Sequence, residues 1–277
     1  MSGNNLRNIM NIVSFLSDFG SEHGYVGSVK GVILTYNPAA AIIDISHQVE
    51  SFNIREAAYI LYTYYKYFPS KTVHLAVVDP GVGSERDPIV IETSNYYFVG
   101  PDNGLFSEIL YREAVKIYKI IPDKLLNMNG IIKTFSKTFH ARDIFAPTAA
   151  LLSKGVSTDL ISEEFEKKPV VFSNQLSINK DVIKADILAV DHFGNLIINL
   201  LRDDFEQRVG GEIKEIRIKN NVITDLSNTY NDADSGQLLA LWGSSGFLEI
   251  SVNQGNASEI LSCKIGGDKV AIIVKSA

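Results

Sequence analysis

Through the first part of the chain, short β-branched apolar runs stop at turn-forming residues and alternate with longer stretches of helical spacing. Residues 12–16 form one such run, and Ser17-Asp18-Phe19-Gly20 after it predicts a strand giving way to a loop. The same pattern predicts a helix over 25–36, a buried strand over 41–45, a long helix over 54–67, and a third strand over 72–78 that stops at Asp79-Pro80-Gly81. Strands alternating with helices imply βαβ units and a mostly parallel sheet. Residues 89–93 and 96–99, separated by Ser94-Asn95, read instead as a hairpin, followed by the loop Gly100-Pro101-Asp102-Asn103-Gly104. Short helices are expected over 107–115 and 143–154.

The pattern then changes. Residues 163–169 are charged and poor in apolar side chains until Val170-Val171-Phe172, which places a boundary after 172. Beyond it, 182–190, 196–201, 215–218, 238–242, 247–252 and 269–274 are strand-like and separated by Gly, Asn and Asp clusters, with no helix of comparable length. The expected fold is an α/β N-terminal domain (1–172) with a mostly parallel sheet, followed by a smaller all-β, barrel-like C-terminal domain (173–277).

Composition narrows the function classes. A chain of 277 residues that is 45% hydrophobic has enough apolar material for one large domain or two ordinary ones. With 26 Lys plus Arg against 32 Asp plus Glu, the net charge of -6 offers no footprint for a phosphate backbone, so no nucleic-acid partner is expected. A small or zwitterionic ligand fits better. The single cysteine, Cys263, can form neither an internal disulfide nor a multi-thiolate zinc site, which suits a cytoplasmic protein. No apolar run approaches the ~20 residues of a membrane span. Residues 1–10 lack the apolar core and cleavage site of a secretory signal and read as a short frayed leader.

Ligands of open α/β sheets bind beyond the carboxyl ends of strands, which draws attention to Asp18, Asp79 and the loop 100–104. The stretch Asp79-Pro80-Gly81-Val82-Gly83-Ser84-Glu85-Arg86 has two spaced glycines but no Gly-Lys-Ser/Thr, so neither nucleotide fingerprint fits. Its carboxylate and guanidinium form either a turn-stabilising ion pair or a catalytic one. His140, in Phe139-His140-Ala141-Arg142-Asp143, sits at a helix entry that Asp143 complements, and is either structural or a proton-handling group. His47 in Asp44-Ile45-Ser46-His47 follows a strand, whereas His23, His74 and His192 have no evident partner. No HxxxH or HExxH pair exists, so no metal site is expected. Asp191-His192-Phe193-Gly194-Asn195 is a hairpin turn that could also present a carboxylate, an aromatic face and an amide to one ligand. Trp242-Gly243-Ser244-Ser245-Gly246 is a turn without the spacing of a nucleophile elbow.

In their order along the chain, Ser17 to Gly20, Asp44 to His47, Val78 to Gly83 with Arg86, Gly100 to Gly104, Phe139 to Asp143 and Asp191 to Asn195 resemble the adenosine-forming S-adenosylmethionine (SAM) hydrolases. That family is also called SAM hydroxide adenosyltransferase and is related to the SAM-dependent fluorinase and chlorinase. The resemblance implies hydrolysis of SAM to adenosine and L-methionine, with Asp79, Arg86 and His140 matching the family's water-preparing triad and His140 relaying the proton. Ala141 stands where halogenases carry a halide-holding serine, and the long halogenase insertion after the Asp79 loop is missing, so the water-using branch is implied.

By the same resemblance, Asp18 matches the ribose clamp and Phe52 an aromatic that packs near the reacting ribose. Asp191 matches the acceptor for the methionine ammonium, Phe193 and Asn195 match adenine contacts, and Tyr230 matches a base-stacking aromatic. Ser244 and Ser245 align around the methionine carboxylate, although halogenases have arginine where Ser245 falls. The resemblance also implies a homotrimer with sites between subunits and no cofactor, SAM being the substrate. The competing functions are a SAM or adenosine sensor without turnover and a SAM-dependent halogenase; the intact triad argues against the first, and Ala141 with the missing insertion against the second.

Overall fold

The computed structural model describes residues 11–128, 130–172, 176–179, 181–263, 265 and 267–275, so the leader over 1–10 lies outside the described residues. The chain divides into two compact units, Met1–Phe172 and Ser173–Ala277.

In the first unit the order is β1 (Ile12–Ser17), α1 (Tyr25–Tyr36), β2 (Ala41–Ser46), α2 (Ile54–Tyr64), β3 (Val73–Val77), β4 (Pro88–Glu92), β5 (Tyr97–Pro101), α3 (Ser107–Arg112), β6 (Lys116–Ile120), α4 (Pro122–Leu126), α5 (Ala146–Ser153) and β7 (Ser162–Glu164). These strands form one sheet in the order β2-β1-β3-β5-β4-β6-β7. It is parallel across β2, β1, β3 and β5 and antiparallel from β5 to β7. Side chains on the two faces enter separate cores. Val13, Phe15, Leu75 and Val77 pack with α1 and α5, while Leu16, Ala76, Ile89 and Phe98 pack with α2 and α3. A strand covered on both faces is buried along its whole length, and every residue of β3 is apolar except His74.

Several elements differ from the sequence expectation for identifiable reasons. β2, expected to be buried, is the sheet edge, and Ile43 on it is 44% exposed. The helix expected over 54–67 ends at Tyr64 and tightens into a 3-10 turn, Tyr65–Tyr67, just before Pro69. The helix over 107–115 stops at Arg112 because the chain must extend to pair β6 with β4. The helix over 143–154 is preceded by a π-helical turn, Ala141–Phe145, with His140 at its N-terminal cap.

His74 has the partner that sequence spacing could not reveal. Its Nδ1 lies 2.7 Å from Ser14 Oγ on the neighbouring strand, and Tyr64, Tyr65, Phe68, Tyr96 and Phe98 surround the ring. Burial pushes its pKa down to about 3, so it is a neutral core residue.

The second unit contains β8 (Ser177–Asn179), β9 (Val182–Val190), β10 (Leu196–Leu201), α6 (Arg202–Arg208), β11 (Glu212–Ile218), β12 (Asn221–Ile223), β13 (Leu238–Trp242), β14 (Phe247–Val252), α7 (Ala257–Leu261) and β15 (Lys269–Lys275). Its antiparallel sheet runs β12-β11-β15-β9-β10-β14-β13, with β8 on β9, and the edge strands β12 and β13 approach each other to curl it into a nearly closed barrel. The α/β unit with a sheet parallel in its first strands and the barrel-like β unit match the expected fold class. No helix among the described residues is long and apolar enough to cross a membrane.

Candidate active site

Three parallel strands of the first unit end side by side, and each is followed by a polar residue: Asp18 after β1, His47 after β2 and Asp79 just beyond β3. The β1 and β2 ends are tied together. Ser17 Oγ lies 2.8 Å from His47 Nδ1, His47 Nε2 lies 3.2 Å from Asp44 Oδ1, and Gly20 N donates to the His47 carbonyl at 2.8 Å. Asp18 Oδ2 accepts the Phe52 backbone N–H at 2.9 Å. Phe52 adopts a left-handed backbone with φ of 69° and leaves its ring 69% exposed. A non-glycine residue in that region costs ~1 kcal/mol or more, a cost that recurs at ligand-contacting positions.

Asp79 and Arg86 form a bidentate pair: Nε donates to Oδ1 at 3.0 Å and Nη2 donates to Oδ2. Both side chains are below 10% exposed, so the pair is buried and each charge depends on the other. Arg86 Nη2 also lies 2.9 Å from His140 Nδ1. A guanidinium can only donate, so Nδ1 must accept, and the neutral ring then carries its proton on Nε2. Burial and the Arg86 charge hold His140 below the ordinary histidine value, in agreement with that tautomer. Arg86 Nη1 is enclosed and has no partner among the described residues.

Two close approaches hold this cluster. Gly83 has φ of 78°, and a Cβ there would stand 2.3 Å from the Lys137 carbonyl oxygen, so only glycine lets the 79–86 loop rest on the segment that carries His140. That segment is fixed by buried Asp143, which accepts from Ser136 N at 2.7 Å and from Arg142 Nε at 2.6 Å. The loop 100–104 grips both ends of the 79–86 loop: Asn103 Nδ2 donates to the Val78 carbonyl at 2.9 Å, and Asp102 N donates to the Asp87 carbonyl at 2.9 Å.

A cavity of about 410 Å³ opens here, and its wall includes Asp18, Phe52, Asp79, His140 and Ala141. Phe19, Tyr25 and Phe139 line it as an aromatic cluster, with Tyr25 and Phe139 edge to face at 5.4 Å. Arg86 stands behind Asp79 and His140 and is not part of the wall. Among the described residues, no group of three or more His, Cys, Asp or Glu is placed to hold a metal ion.

The other candidates lie in the second unit. Asp191 Oδ1 accepts from Phe193 N at 2.9 Å and Asn195 N at 2.8 Å, and Oδ2 accepts from Asn195 Nδ2 at 2.8 Å. That arrangement displays the Phe193 ring, 74% exposed, and fixes the Asn195 amide. Tyr230 begins a single 3-10 turn held by the Thr229–Asp232 capping box, and its hydroxyl donates to Glu249 Oε2 at 2.8 Å. Ser244 and Ser245 occupy the tight turn from Gly243 to Phe247. Sequence reasoning missed Glu249 and Asn103. A lone carboxylate inside the apolar run of β14 was the available signal for the first; for the second the sequence marked only its loop, 100–104, since Asn103 bonds backbone alone, donating to the Val78 carbonyl and accepting from Leu105 N.

Comparison with known proteins identifies the family. The model of the SAM hydroxide adenosyltransferase N-terminal domain matches residues 13–162, and that of the C-terminal domain matches 185–270. An (R)-S-adenosyl-L-methionine hydrolase from Methanocaldococcus jannaschii is 38% identical over 266 residues, covering 92% of this chain and 93% of that protein. The crystal structure of an uncharacterized conserved protein from Thermotoga maritima superposes with a TM-score of 0.83 at 38% identity, over 94% of this chain and 99% of the other. A fluorinase from an Actinoplanes species is more distant, at 23% identity over 92% of this chain and 95% of its own. The chain belongs to the SAM hydroxide adenosyltransferase family.

Proposed function

We propose that the protein hydrolyses SAM to adenosine and L-methionine by in-line attack of water-derived hydroxide on the ribose C5′. The observation that carries this reading is the Asp79–Arg86–His140 cluster, hydrogen-bonded as a unit and touching a cavity through Asp79 and His140. The new bond joins the water oxygen to C5′, the C5′–S bond breaks with its electron pair going to sulfur, and the water proton leaves to solvent. Methionine departs as a neutral thioether, so no metal or other cofactor is needed to stabilise the leaving group.

What the reaction needs is a water molecule that is aimed and easily deprotonated. With its Nδ1 committed to Arg86, His140 in this reading donates from Nε2–H to the water oxygen. Asp79 accepts a water hydrogen, and the Arg86 charge behind both favours hydroxide. Asp18 clamps the ribose hydroxyls, and the exposed Phe52 ring covers the reacting ribose. Phe193 and Asn195 contact adenine, Tyr230 stacks on the base, Asp191 and the 244–245 turn face the methionyl group, and Ala141 offers a halide no hydroxyl. Relatives are named for the R sulfonium epimer, and we assign the same preference here. Incubation with each SAM epimer should give equimolar adenosine and methionine, faster from R; a halogenated nucleoside as the main product in chloride or fluoride buffer would refute the reading.

The same reading places the protein in the cytoplasm, in keeping with its lone, buried Cys263 thiol. It also makes the protein a homotrimer whose sites draw the triad from one subunit and the adenine loop from the next. Mixing inactive His140→Ala with inactive Asn195→Ala under subunit exchange should restore part of the turnover, since some sites then combine two intact halves. No recovery, with mixed trimers seen by native mass spectrometry, would place each site within one chain.

A further inference from the structure

We propose that Glu249 is a further substrate-binding residue, accepting a hydrogen bond from the α-ammonium group of the methionyl portion. This assignment rests on the hydrolase reading and extends it to a residue with no role so far. On β14, Leu248, Ile250 and Val252 enter the barrel core, so Phe247, Glu249 and Ser251 share the opposite face. Glu249 is nevertheless only 7% exposed. A carboxylate so enclosed is normally paired with a cation, yet no Lys, Arg or His pairs with it among the described residues.

Its two oxygens differ. Oε2 accepts from Tyr230, whereas Oε1 rests against Gly243, where a Cβ would stand 1.7 Å away. Oε1 has no hydrogen-bond partner among the described residues, but it is not among the enclosed polar atoms that lack one, so it remains reachable. Ser251 Oγ, two residues along the same face, is also without a partner among the described residues. Burial and the Asp191 charge push the Glu249 carboxyl up, which marks a site short of positive charge.

Register places this oxygen between the proposed ends of the ligand. Ile197 pairs with Glu249, and Asn195 lies two residues beyond Ile197; Gly243 pairs with Phe247, two residues back along β14. Each step of two residues is about 7 Å, so along the strand Glu249 falls between the adenine loop and the 243–246 turn, with Oε1 against Gly243 of that turn. SAM carries two cationic centres there, but the sulfonium has no hydrogen to donate. The α-ammonium has three.

The test uses SAM and its deaminated counterpart, which keeps the sulfonium and the carboxylate. Wild-type protein should prefer SAM in kcat/KM by about 10- to 100-fold, as expected of one charge-assisted hydrogen bond. Glu249→Gln, which keeps the side-chain volume and an acceptor for Tyr230, should reduce that preference to about 3-fold or less. A preference unchanged in Glu249→Gln, or absent from the wild type, overturns the assignment. If the wild type turned over neither compound, the hydrolase reading would fail, and calorimetric binding of the same two compounds to both proteins would still decide on Glu249.

Discussion

Arg86→Met should lower kcat for SAM hydrolysis by about 10³-fold while changing the KM far less, because the charge it removes acts on the attacking water and not on substrate binding. The same substitution should weaken the fold. Asp79 and Arg86 are both below 10% exposed, and deleting the guanidinium leaves a buried carboxylate uncompensated, which costs about 3 to 5 kcal/mol. The two effects can be separated. Adding Asp79→Asn to Arg86→Met removes the orphaned charge, so stability in a denaturant titration should largely return while turnover stays lost. Restored turnover in the double variant, or a kcat of Arg86→Met close to wild type, would show that the pair is only a turn-stabilising ion pair.

His140→Ala should cost about 10²-fold in kcat, the usual loss for one donor aimed at a developing charge. The more telling observable is pH. Burial and Arg86 hold His140 below its ordinary value of 6.5, and a protonated ring could not accept from Arg86 at Nδ1. Turnover should therefore stay level as pH falls from 8 through 6.5 and decline only below it. A general base with an ordinary histidine pKa would have lost half its activity at 6.5. Stability follows the same sign. The lowered folded value favours the neutral ring in the native state, so this contribution is full above 6.5 and is lost as pH falls through the folded value. His140→Ala should flatten that part of the stability profile, and a half-loss of wild-type turnover centred at 6.5 would contradict the donor role.

What could be read from sequence was what local pattern encodes. Asp18 and Asp79 were legible because a strand that stops at Ser-Asp-Phe-Gly or Asp-Pro-Gly announces its own carboxyl end, and the structure places both on one cavity wall. The apolar run of β2 could not say that it would lie at the sheet edge, since edge and centre are fixed by pairing. β6 escaped notice for a related reason: Lys116–Ile120 is a short, lysine-bearing segment that directly follows the helical pattern before it. Contacts across the chain were invisible, among them Ser14 with His74, Asn103 with the Val78 carbonyl, and Gly83 with Lys137. The order of the six motifs identified the family, but the His140 tautomer came only from the position of Arg86.

The origin of the oxygen on the product tests the mechanism at its root. SAM should be incubated with the protein in ¹⁸O-labelled water and the nucleoside examined by mass spectrometry. Attack of water at C5′ predicts adenosine carrying the label in its 5′-hydroxyl, with methionine formed in equal amount and no label in its thioether portion. Unlabelled adenosine, or a 5′-halogenated nucleoside in its place, would mean that water is not the nucleophile.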